Sequence, residues 1–509
     1  MEVGAVISLQ NYIVFLAIAS KALIAPRRCR RERSPPWFQR QPCTPVRVKR
    51  FALASAVPPF HLRPMPTLRR FCTLALPVVA LCSQVATARH LVAQTSTARL
   101  KAIRFGTLVT GTGQVVRDAV VVVDGDRIVN VGTGSSAVPP RATVIDLRRY
   151  TGIPGMIDAH THMTYFWDER PGSNPWQQQG ARNSAVTVFL AQENARKTLE
   201  TGVTTVRDLG SRDFTDVAMR ELIDRGSMVG PRMFVAGHGM QRVRLPADGT
   251  TPVSVPARGR IANIADVPAA VKAQVDGGAD VIKVYGSTGS ASDVSGQQTF
   301  SFDEMKAIVD AAQALGRRTA IHSYGPEGGR AAARAGAHSV EHAVDLDDAA
   351  LADMAQRQTI YVPTIDHNRY YAEYRQQFGY TTEQAAALDA YRARNVETAR
   401  RAFRAGVRFA MGSDAVFTMF GQNTRELGWY VTVGMTPAQA LATATTNGAM
   451  LLGKERELGA VAPGFYADLV AVEGDPLSDV NVLINKVRWV MKGGAVVVDK
   501  RSLKAARRR

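Results

Sequence analysis

The alternation of apolar and polar positions divides the chain after residue 98 into a central α/β region and two strand-rich ends. In the centre, short apolar runs typical of buried strands are separated by stretches with the 3.6-residue period of amphipathic helices. The predicted strands are 155–162, 204–208, 233–238, 281–285, 319–322, 339–342, 359–364 and 408–414. Helices are predicted between them, for example at 185–201, 303–315 and 382–405. Eight strands alternating with helices over about 300 residues indicate an α/β protein with a (β/α)8 TIM-like barrel.

Both ends of this region have the pattern of short strands and turns. The turn Asp124-Gly125-Asp126 separates two apolar runs and predicts a β-hairpin. The C-terminal end repeats the pattern at 464–472 and 487–498. We therefore expect a small β-sandwich formed by both ends of the mature chain. The predicted domains are 98–153 for the first part of the sandwich, 154–457 for the metal-dependent barrel and 458–500 for the second part of the sandwich.

The chain before residue 89 contains two segments that are not expected in the folded core. Residues 1–64 are rich in Arg and Pro and show no period that could bury an apolar face, which predicts disorder or a non-native extension. The next segment, 65–88, combines a basic start at Arg69-Arg70, an apolar run at 71–82 and small residues at its end, the three parts of a signal peptide. We therefore expect an exported protein, periplasmic or secreted.

An alternative for the N-terminal region is a membrane anchor at 3–24, whose length approaches the roughly 20 residues that span a bilayer. Polar Gln10-Asn11 and Lys21 interrupt this run and a second apolar segment follows, which favours the signal peptide. No stable membrane insertion is then expected after the signal is removed. Lipoprotein export through Cys82 stays open, although Leu81 stands where a small residue is preferred.

The mature chain, without these two segments, differs from the whole sequence in net charge and in cysteine content. Of the formal net charge of +19, +9 falls within residues 1–64 and +2 on Arg69-Arg70, which leaves +8 for the mature chain. No basic cluster interleaved with aromatic residues precedes the tail at 504–509, so nucleic-acid binding is not expected. All four cysteines lie before residue 89, which excludes disulfides, cysteine zinc ligands and a cysteine nucleophile from the mature chain.

The barrel pattern carries candidate metal ligands. His160 and His162 lie two residues apart on a predicted strand, so both side chains leave the same face and can hold one metal ion. Further candidates lie at the C-terminal ends of later strands, where a barrel collects its reactive groups, and these are Lys283, His322, His342 and Asp414. Ordinary core packing explains any one histidine equally well. Four histidines and an aspartate at the same end of the barrel favour a metal site.

Lys283 is the unusual member of this set. A lysine that points into a barrel has to lose its charge or find a partner, because an unpaired buried ammonium is costly. One solution is carboxylation by CO2, which gives a carbamate whose two oxygens could bridge two metals. The alternative is a lysine paired with Asp414 or another carboxylate.

Several motifs together resemble the amidohydrolase superfamily, in particular its imidazolonepropionase-like and Xaa-Pro-dipeptidase-like subgroup. The resemblance covers about residues 98–500. It is strongest in Gly152-Ile-Pro-Gly-Met-Ile-Asp-Ala-His-Thr-His162, Val281-Ile-Lys-Val-Tyr285, Ile321-His322-Ser323, Ser339-Val-Glu-His342 and Gly412-Ser-Asp414-Ala415. This likeness is specific for the fold and the metal chemistry, and much less so for the substrate.

The resemblance implies a centre of two divalent metal ions, for which zinc suits the ligands. One ion would be bound by His160, His162 and Asp414, and the other by His322 and His342. Carboxylated Lys283 would bridge the two ions, which would activate a water molecule as hydroxide. Asp414 would accept the proton of that water and pass it to the leaving amine, although a role as ligand only stays open.

Candidate substrate contacts come from the same barrel end. Tyr285 shares the strand face of Lys283, and in dipeptidase-like relatives such a tyrosine binds the substrate carboxylate. His238 at the end of the third strand could assist it. Tyr324 stands where many relatives have a second histidine, which favours an apolar or aromatic substrate group over an imidazolone ring. Arg369 and three nearby tyrosines could clamp an anionic aromatic ligand, or form the exposed start of a helix.

These observations predict a metal-dependent hydrolase that cleaves amide bonds of small carboxylate-bearing molecules such as dipeptides or N-acyl amino acids. The stretch 412–427 also resembles bacterial amidohydrolases that cleave ochratoxin, a phenylalanine amide, so ochratoxin A is a candidate substrate. The alternatives are a cyclic amidase of imidazolonepropionase type, a deaminase, or a catalytically dead barrel that binds a ligand. The loop 241–260 is either a lid or a surface insertion. The expected partner is a small molecule, and a homo-oligomer stays open.

Overall fold

Strands are concentrated at the two ends of the described chain and recur singly through its centre. The computed structural model describes residues 100–243 and 251–501. Its strands in chain order are β1 (Lys101–Val109), β2 (Val115–Asp124), β3 (Arg127–Thr133), β4 (Thr143–Pro154), β5 (Met156–Thr161), β6 (Val203–Asp208), β7 (Arg232–Val235), β8 (Gln241–Arg242), β9 (Arg260–Ile261), β10 (Val281–Tyr285), β11 (Arg318–Ser323), β12 (Ser339–His342), β13 (Ile360–Val362), β14 (Leu469–Val472), β15 (Val487–Lys492) and β16 (Ala495–Asp499).

Helices occupy most of the connections between the central strands. In chain order they are α1 (Pro175–Ala181), α2 (Ser184–Glu200), α3 (Thr215–Asp224), α4 (Val267–Asp276), α5 (Phe302–Ala314), α6 (Pro326–Ala335), α7 (Asp348–Arg357), α8 (Ile365–Glu373), α9 (Arg375–Phe378), α10 (Thr382–Arg404), α11 (Glu426–Val433), α12 (Pro437–Thr443), α13 (Thr446–Leu452) and α14 (Asn481–Asn485). Local sequence determines where several of these helices begin. Ser301 before α5 and Thr381 before α10 each form a capping box with the residue three positions later.

The central strands form a parallel barrel. β5, β6 and β7 form one ladder, and β10 to β13 form another. A bridge between Met240 and Val284 joins the two ladders. On the other side the extended segment 408–415 closes the ring, since Phe409 bridges to Tyr361 and Ala415 to Thr161. The predicted α/β barrel is therefore confirmed. Its eighth strand, predicted at 408–414, is irregular, because the Met411 amide donates to the carbonyl of Thr443 at 3.0 Å and not to a neighbouring barrel strand.

The two chain ends meet in one seven-stranded sheet. The strand order is β16-β15-β14-β4-β1-β2-β3, so the C-terminal strand β14 pairs directly with the N-terminal strand β4. Gly125-Asp126 forms the predicted two-residue hairpin loop between β2 and β3. The edge strand β3 also contacts the segment that precedes β14, where the Ile128 amide donates to the carbonyl of Phe465 at 2.9 Å. The sheet therefore curls back on itself. The sheet encloses its own apolar core, which includes Phe105, Val121, Leu147, Leu469, Trp489 and Met491.

The junction between sheet and barrel fixes the first barrel strand. β4 continues into β5 through Gly155, where any side chain would collide with Thr204 and Asp468. The amide of Gly155 also donates to the carbonyl of Asp468 at 2.8 Å. Only glycine fits this close approach. β5, the strand of the histidine pair, is therefore fixed at its start by contacts with the seven-stranded sheet and along its length by pairing with β6.

Parts of the sequence predictions fall outside the described residues. They are the extension 1–64, the signal peptide 65–88, the alternative anchor 3–24, the tail 504–509 and residues 244–250 of the proposed lid, and they stay predictions. In the remainder of this loop, β8 pairs with β9. Within the described ranges, no helix is both long and apolar enough to cross a membrane.

Candidate metal centre

All six predicted ligand positions face one cavity at the carboxyl end of the barrel. The cavity has a volume of about 130 Å³. Its lining includes His160, His162, Lys283, His322, His342 and Asp414. The imidazole ring centroids of His322 and His342 are 4.5 Å apart, and those of His160 and His342 are 5.0 Å apart. Residues from five different strand ends thus meet in a space that suits one or two ions.

Three of these residues have the arrangement of metal ligands. Oδ1 of Asp414 lies 3.2 Å from Nε2 of His162 and 3.5 Å from Nε2 of His160. One ligand atom from each of the three lies within 4.8 Å of the others. Oδ1 is buried and has no hydrogen-bond partner among the described residues. A carboxylate oxygen without a hydrogen bond, beside two imidazole nitrogens, is explained by a cation between them.

The histidine rings are oriented with Nε2 towards the cavity. In each of them an oxygen atom occupies the Nδ1 side, which fixes the ring. The Nδ1 contacts are His160 to Glu341 Oε2 at 2.8 Å, His162 to the Gly210 carbonyl at 3.1 Å and His342 to Thr364 Oγ1 at 2.7 Å. Because carboxylate and carbonyl oxygens only accept, His160 and His162 donate from Nδ1, and Nε2 is the nitrogen that each can offer to a metal.

His322 provides an independent indication of a metal site. Its Nε2 is buried and has no hydrogen-bond partner among the described residues. The ring is held by the backbone of Gly289 and stacks on Tyr324 at a centroid distance of 5.0 Å. Burial, followed by the charge of Lys283, holds the pKa of His322 well below its usual value. The ring is therefore neutral, which is the form that binds metals.

Lys283 is almost completely buried, with 1% of its surface exposed. Burial lowers the pKa of its ammonium group to about 8. Among the described residues its one hydrogen-bond contact is with Nε2 of His160, at 3.5 Å. The direct salt bridge to Asp414 or another carboxylate, considered as an alternative for this lysine, is not formed in the described part of the chain.

Glu341 and Arg207 form a buried ion pair behind the histidines, which the sequence patterns did not single out. Arg207 Nη2 donates to Glu341 Oε1 at 2.9 Å, and neither side chain reaches solvent. Burial alone would raise the pKa of Glu341, but the charge of Arg207 and the hydrogen bond from His160 outweigh it and lower that pKa to about 2. The charged residues Arg207 and Glu341 inside two short predicted strands were the available signal, since charged residues need partners when a strand is buried.

The predicted substrate contacts are only partly brought together. Tyr285 and Tyr324 line the cavity. His238 is half-buried and packs edge-on against Phe214 at 4.9 Å, and it is not among the lining residues.

Arg369 also lies outside the cavity lining, contrary to the predicted substrate clamp. Its guanidinium donates to both carboxylate oxygens of Asp366 at 2.8 Å and also contacts Glu373. The predicted alternative, the start of a helix, describes its place in α8 better, although the side chain is buried. An arginine that is bound by two carboxylates of its own helix is not free to clamp a substrate.

The cavity has further lining residues, of which only Tyr371 was predicted, as one of the three tyrosines near Arg369. His367, at the start of α8, places Nε2 3.2 Å from Oδ2 of Asp414. Tyr165, Trp176 and Tyr371 form an aromatic wall, in which Trp176 stacks on Tyr371 at 6.2 Å and Tyr165 stacks on the ring of His162 at 5.0 Å. These side chains come from loops and short helices above the barrel, where no strand period marks them.

Comparisons with known proteins agree with this geometry. Residues 151–497 match the Amidohydrolase family. The chain is 30% identical over 431 residues to the ochratoxinase of Aspergillus niger, covering 79% of this chain and 88% of that protein. It is 27% identical over 382 residues to the imidazolonepropionase of Streptomyces coelicolor, covering 70% and 86%. The crystal structure of a Xaa-Pro dipeptidase with bound methionine in its active site superposes with a TM-score of 0.70 at 30% identity, covering 78% of this chain and 99% of that one.

Proposed function

Because this chain belongs to the amidohydrolase family, we propose that it hydrolyses amide bonds of small carboxylate-bearing substrates such as dipeptides or N-acyl amino acids. Its main support is the convergence of four histidines, Lys283 and Asp414 on one cavity. The Aspergillus niger relative that is named an ochratoxinase makes ochratoxin A a candidate substrate as well. The cleaved bond would be the amide that joins the carboxylate-bearing part to its acyl group.

The proposed cofactor is a pair of divalent ions, with zinc suited to histidine and oxygen ligands. His160, His162 and Asp414 would hold one ion. His322 and His342 would hold the other, since Nε2 of His322 has no hydrogen-bond partner in the described structure and His342 uses Nδ1 for its contact with Thr364. Such a pair of ions supplies a water of lowered pKa and polarises the scissile carbonyl.

Lys283 is proposed to carry a carbamate. Its neutral amine would attack the carbon of CO2, a nitrogen–carbon bond would form, and one proton would leave to solvent. Burial favours the neutral amine that this step needs. The carbamate would offer two oxygens to the two ions, and it would replace a buried ammonium that has no carboxylate partner within hydrogen-bond distance in the described structure.

Residues of the chain itself would then transfer the proton and bind the substrate. Asp414 would take a proton from the attacking water and deliver it to the nitrogen of the leaving group. Tyr285, which lines the same cavity as Lys283, would bind the substrate carboxylate. The wall of Tyr165, Trp176 and Tyr371 would pack against an apolar or aromatic group of the substrate.

The size of the cavity limits the substrate. An engineered protein cavity of about 150 Å³ holds one benzene ring, so a cavity of about 130 Å³ accepts a single side chain of that size. This favours small substrates. A larger amide such as ochratoxin A would require Trp176 and its neighbours to move outwards.

A substrate panel separates the candidate functions. It would contain Xaa-Pro and Xaa-Arg dipeptides, N-acyl-phenylalanines and ochratoxin A, beside imidazolone propionate, hydantoins and aminopyrimidines. We expect hydrolysis of the linear amides. Activity on the ring substrates alone would establish a cyclic amidase or a deaminase instead.

Metal analysis distinguishes the enzyme from a dead barrel. Purified protein from zinc-supplemented cells should contain about two metals per chain. Less than about one metal per chain, without activity after metal addition, would favour a ligand-binding protein.

A further inference from the structure

Trp176 in the cavity wall is held by a residue that does not line the cavity. Its indole Nε1 donates a hydrogen bond to the hydroxyl of Tyr380 at 3.1 Å. Trp176 is one of the lining residues, whereas Tyr380 is not among them. The orientation of this part of the wall therefore depends on a hydroxyl group of a residue outside the lining.

Tyr380 is itself fixed by its backbone and by its ring. Its amide donates to the carbonyl of Arg375 at 2.8 Å. The next residue, Thr381, is the N-cap of α10 and forms a capping box with Gln384. The ring of Tyr380 stacks on Phe378 at a centroid distance of 5.3 Å. The hydroxyl is therefore presented to the indole from a rigid position.

A third loop meets the same hydroxyl. Ser290, which lines the cavity, exchanges two backbone hydrogen bonds with Asp293 at 2.8 and 2.9 Å, so that Ser292 lies in a two-residue turn. The hydroxyl of Tyr380 contacts Ser292, and Nε2 of Gln384 donates to Oγ of Ser292 at 3.3 Å. The segments that follow β5, β10 and β13 are therefore joined at Tyr380.

The start of α1 has an anchor of its own. Asn174, the N-cap of α1, donates from Nδ2 to the carbonyl oxygens of Gln377 and Phe378, at 3.3 and 3.1 Å. Its Oδ1 accepts a hydrogen bond from the amide of Gln177 at 3.1 Å. These bonds do not involve the hydroxyl of Tyr380. That hydroxyl is therefore needed to orient the indole, and Asn174 holds the helix.

The indole limits the space that a substrate can occupy. It packs edge-on against Phe417 at 5.0 Å, and the cavity of about 130 Å³ that it borders accepts a single ring. A second fused ring fits only when the indole turns out of the wall. This movement breaks the hydrogen bond to Tyr380, and the loss of one such bond changes an equilibrium about two- to tenfold.

We propose that Tyr380 is a positioning residue that sets the upper size of the substrate by holding Trp176 in the cavity wall. This rests on the proposed function, because it concerns linear amides that are hydrolysed in this cavity. The favoured substrates carry at most one ring in the group that packs against the wall. Amides with two fused rings are disfavoured, because they require the indole to move.

Phenylalanine variants isolate the hydrogen bond. Tyr380→Phe removes the hydroxyl and keeps the ring that stacks on Phe378. Trp176→Phe removes the donor, and its combination with Tyr380→Phe completes a double-mutant cycle. Tyr370→Phe is the matched control, since its hydroxyl is hydrogen-bonded to Thr418 at 2.9 Å and the residue lies outside the cavity lining.

Two pairs of amides measure the size limit, and the members of each pair differ by one fused ring. They are N-acetyl-phenylalanine with N-acetyl-naphthylalanine, and N-benzoyl-alanine with N-naphthoyl-alanine. In Tyr380→Phe the ratio of kcat/KM for the two-ring member to kcat/KM for the one-ring member should rise about two- to tenfold in at least one pair. Tyr370→Phe and Ser292→Ala should leave both ratios unchanged. In the Trp176→Phe background, Tyr380→Phe should have no further effect.

A measurement without substrate follows the indole directly. The indole N–H signal of Trp176 can be identified by NMR from its absence in Trp176→Phe. Its hydrogen exchange with solvent should be faster in Tyr380→Phe than in the wild type, because the donor loses its acceptor. Exchange should be unchanged in Tyr370→Phe. This measurement does not depend on catalysis.

The contrary results are distinct. Unchanged ratios in Tyr380→Phe, together with faster indole exchange, would mean that the bond exists but sets no size limit, and would overturn the proposal. The same rise of the ratio in the Trp176→Phe background, or in Ser292→Ala, would also overturn it, because the effect would then not depend on the indole. A wild type that hydrolyses none of the amides would refute the proposed function, and this inference with it. A wild type that is active on the one-ring amides, with ratios that no variant changes, refutes the inference alone.

Discussion

Nδ1 of His160 lies 2.8 Å from Oε2 of Glu341, inside the barrel and shielded from solvent. The other oxygen of Glu341 accepts bonds from Arg207 at 2.9 Å and from Ser339 at 2.5 Å. Arg207 in turn donates to the carbonyl of Ala159, the residue before His160, at 2.6 Å. The orientation of the first histidine therefore depends on a charge network that joins β5, β6 and β12.

Replacing Glu341 with glutamine should weaken metal binding. The amide cannot accept at both oxygen positions, so His160 loses the charged acceptor that fixes its Nδ1 proton. Loss of such a partner typically lowers metal affinity about 10- to 100-fold. Competition with a chelator for zinc or cobalt measures the change. The buried Arg207 also loses its partner, and a fall in unfolding free energy of about 3–5 kcal/mol is expected.

The same substitution at an exposed glutamate provides the control for Glu341→Gln. Glu193 pairs with Arg196 on the exposed face of α2, at 2.7 Å. Glu193→Gln should change stability by less than about 1 kcal/mol and metal affinity not at all. A folded Glu341→Gln protein with the metal affinity of the wild type would show that Glu341 serves stability alone.

The regular part of the fold could be predicted from local pattern. β10 and β12 have the predicted bounds, and α10 ends one residue before its predicted end. β10 is rich in the β-branched residues typical of strands, and Thr381 caps the start of α10. The eighth strand was predicted as regular, but the Met411 amide inside it donates to the carbonyl of Thr443, a tertiary contact that no local period encodes.

The six ligand positions could be predicted from the sequence, because the strand ends of a barrel meet at one end of it independently of the loop conformations. His367 and Trp176 could not, since their position depends on how loops fold over the barrel. Arg369 was misplaced for a different reason. Asp366 three residues before it and Glu373 four residues after it lie on the same helical face, and this local pairing was available from the sequence.

Removal of the Lys283 side chain should abolish the proposed bridge. Lys283→Ala is expected to lose most hydrolytic activity and to bind metal about 10- to 100-fold more weakly. Short carboxylates such as acetate or propionate should restore part of the activity, because they supply two oxygens in the same space. Carbon-13 NMR after growth in labelled bicarbonate should show one carbamate signal in the wild type. Full activity of Lys283→Ala without added carboxylate would contradict the carbamate.

Trp176 should determine the preference for aromatic substrates. It stacks on Tyr371, meets Phe417 edge-on at 5.0 Å, and donates to the hydroxyl of Tyr380 at 3.1 Å. Aromatic contacts contribute about 0.5–1.5 kcal/mol each, so Trp176→Ala should raise KM for N-acyl-phenylalanine up to about tenfold and leave N-acyl-alanine nearly unchanged.

Phe189→Ala is the matched control for Trp176, because Phe189 is 67% exposed on α2 and lies outside the cavity lining. It should leave both KM values as they are in the wild type. An equal rise of KM for the phenylalanine and alanine substrates in Trp176→Ala would mean that the wall maintains cavity shape and does not select aromatic groups.

His338 should make the barrel less stable in acid. Its Nδ1 accepts a hydrogen bond from the amide of Thr319 at 3.2 Å, which links the end of α6 to β11. Burial and the nearby charges of Arg318 and Arg207 lower the pKa of this ring to about 4. In the unfolded chain the ring has a pKa of about 6.5. The folded state therefore binds fewer protons between these values, and stability is lost as the pH falls from about 6.5 to 4.

His338→Asn tests this linkage, because the asparagine oxygen lies near the position of Nδ1 and accepts the same bond without titrating. Unfolding free energies of both proteins, measured with denaturant and with a chelator present so that metal release does not contribute, should run parallel above pH 7. Below pH 6.5 the wild type should lose stability more steeply, by at most about 1.4 kcal/mol per pH unit. Parallel curves down to pH 4 would mean that His338 binds its proton equally well in the folded and the unfolded protein, and would contradict the predicted linkage.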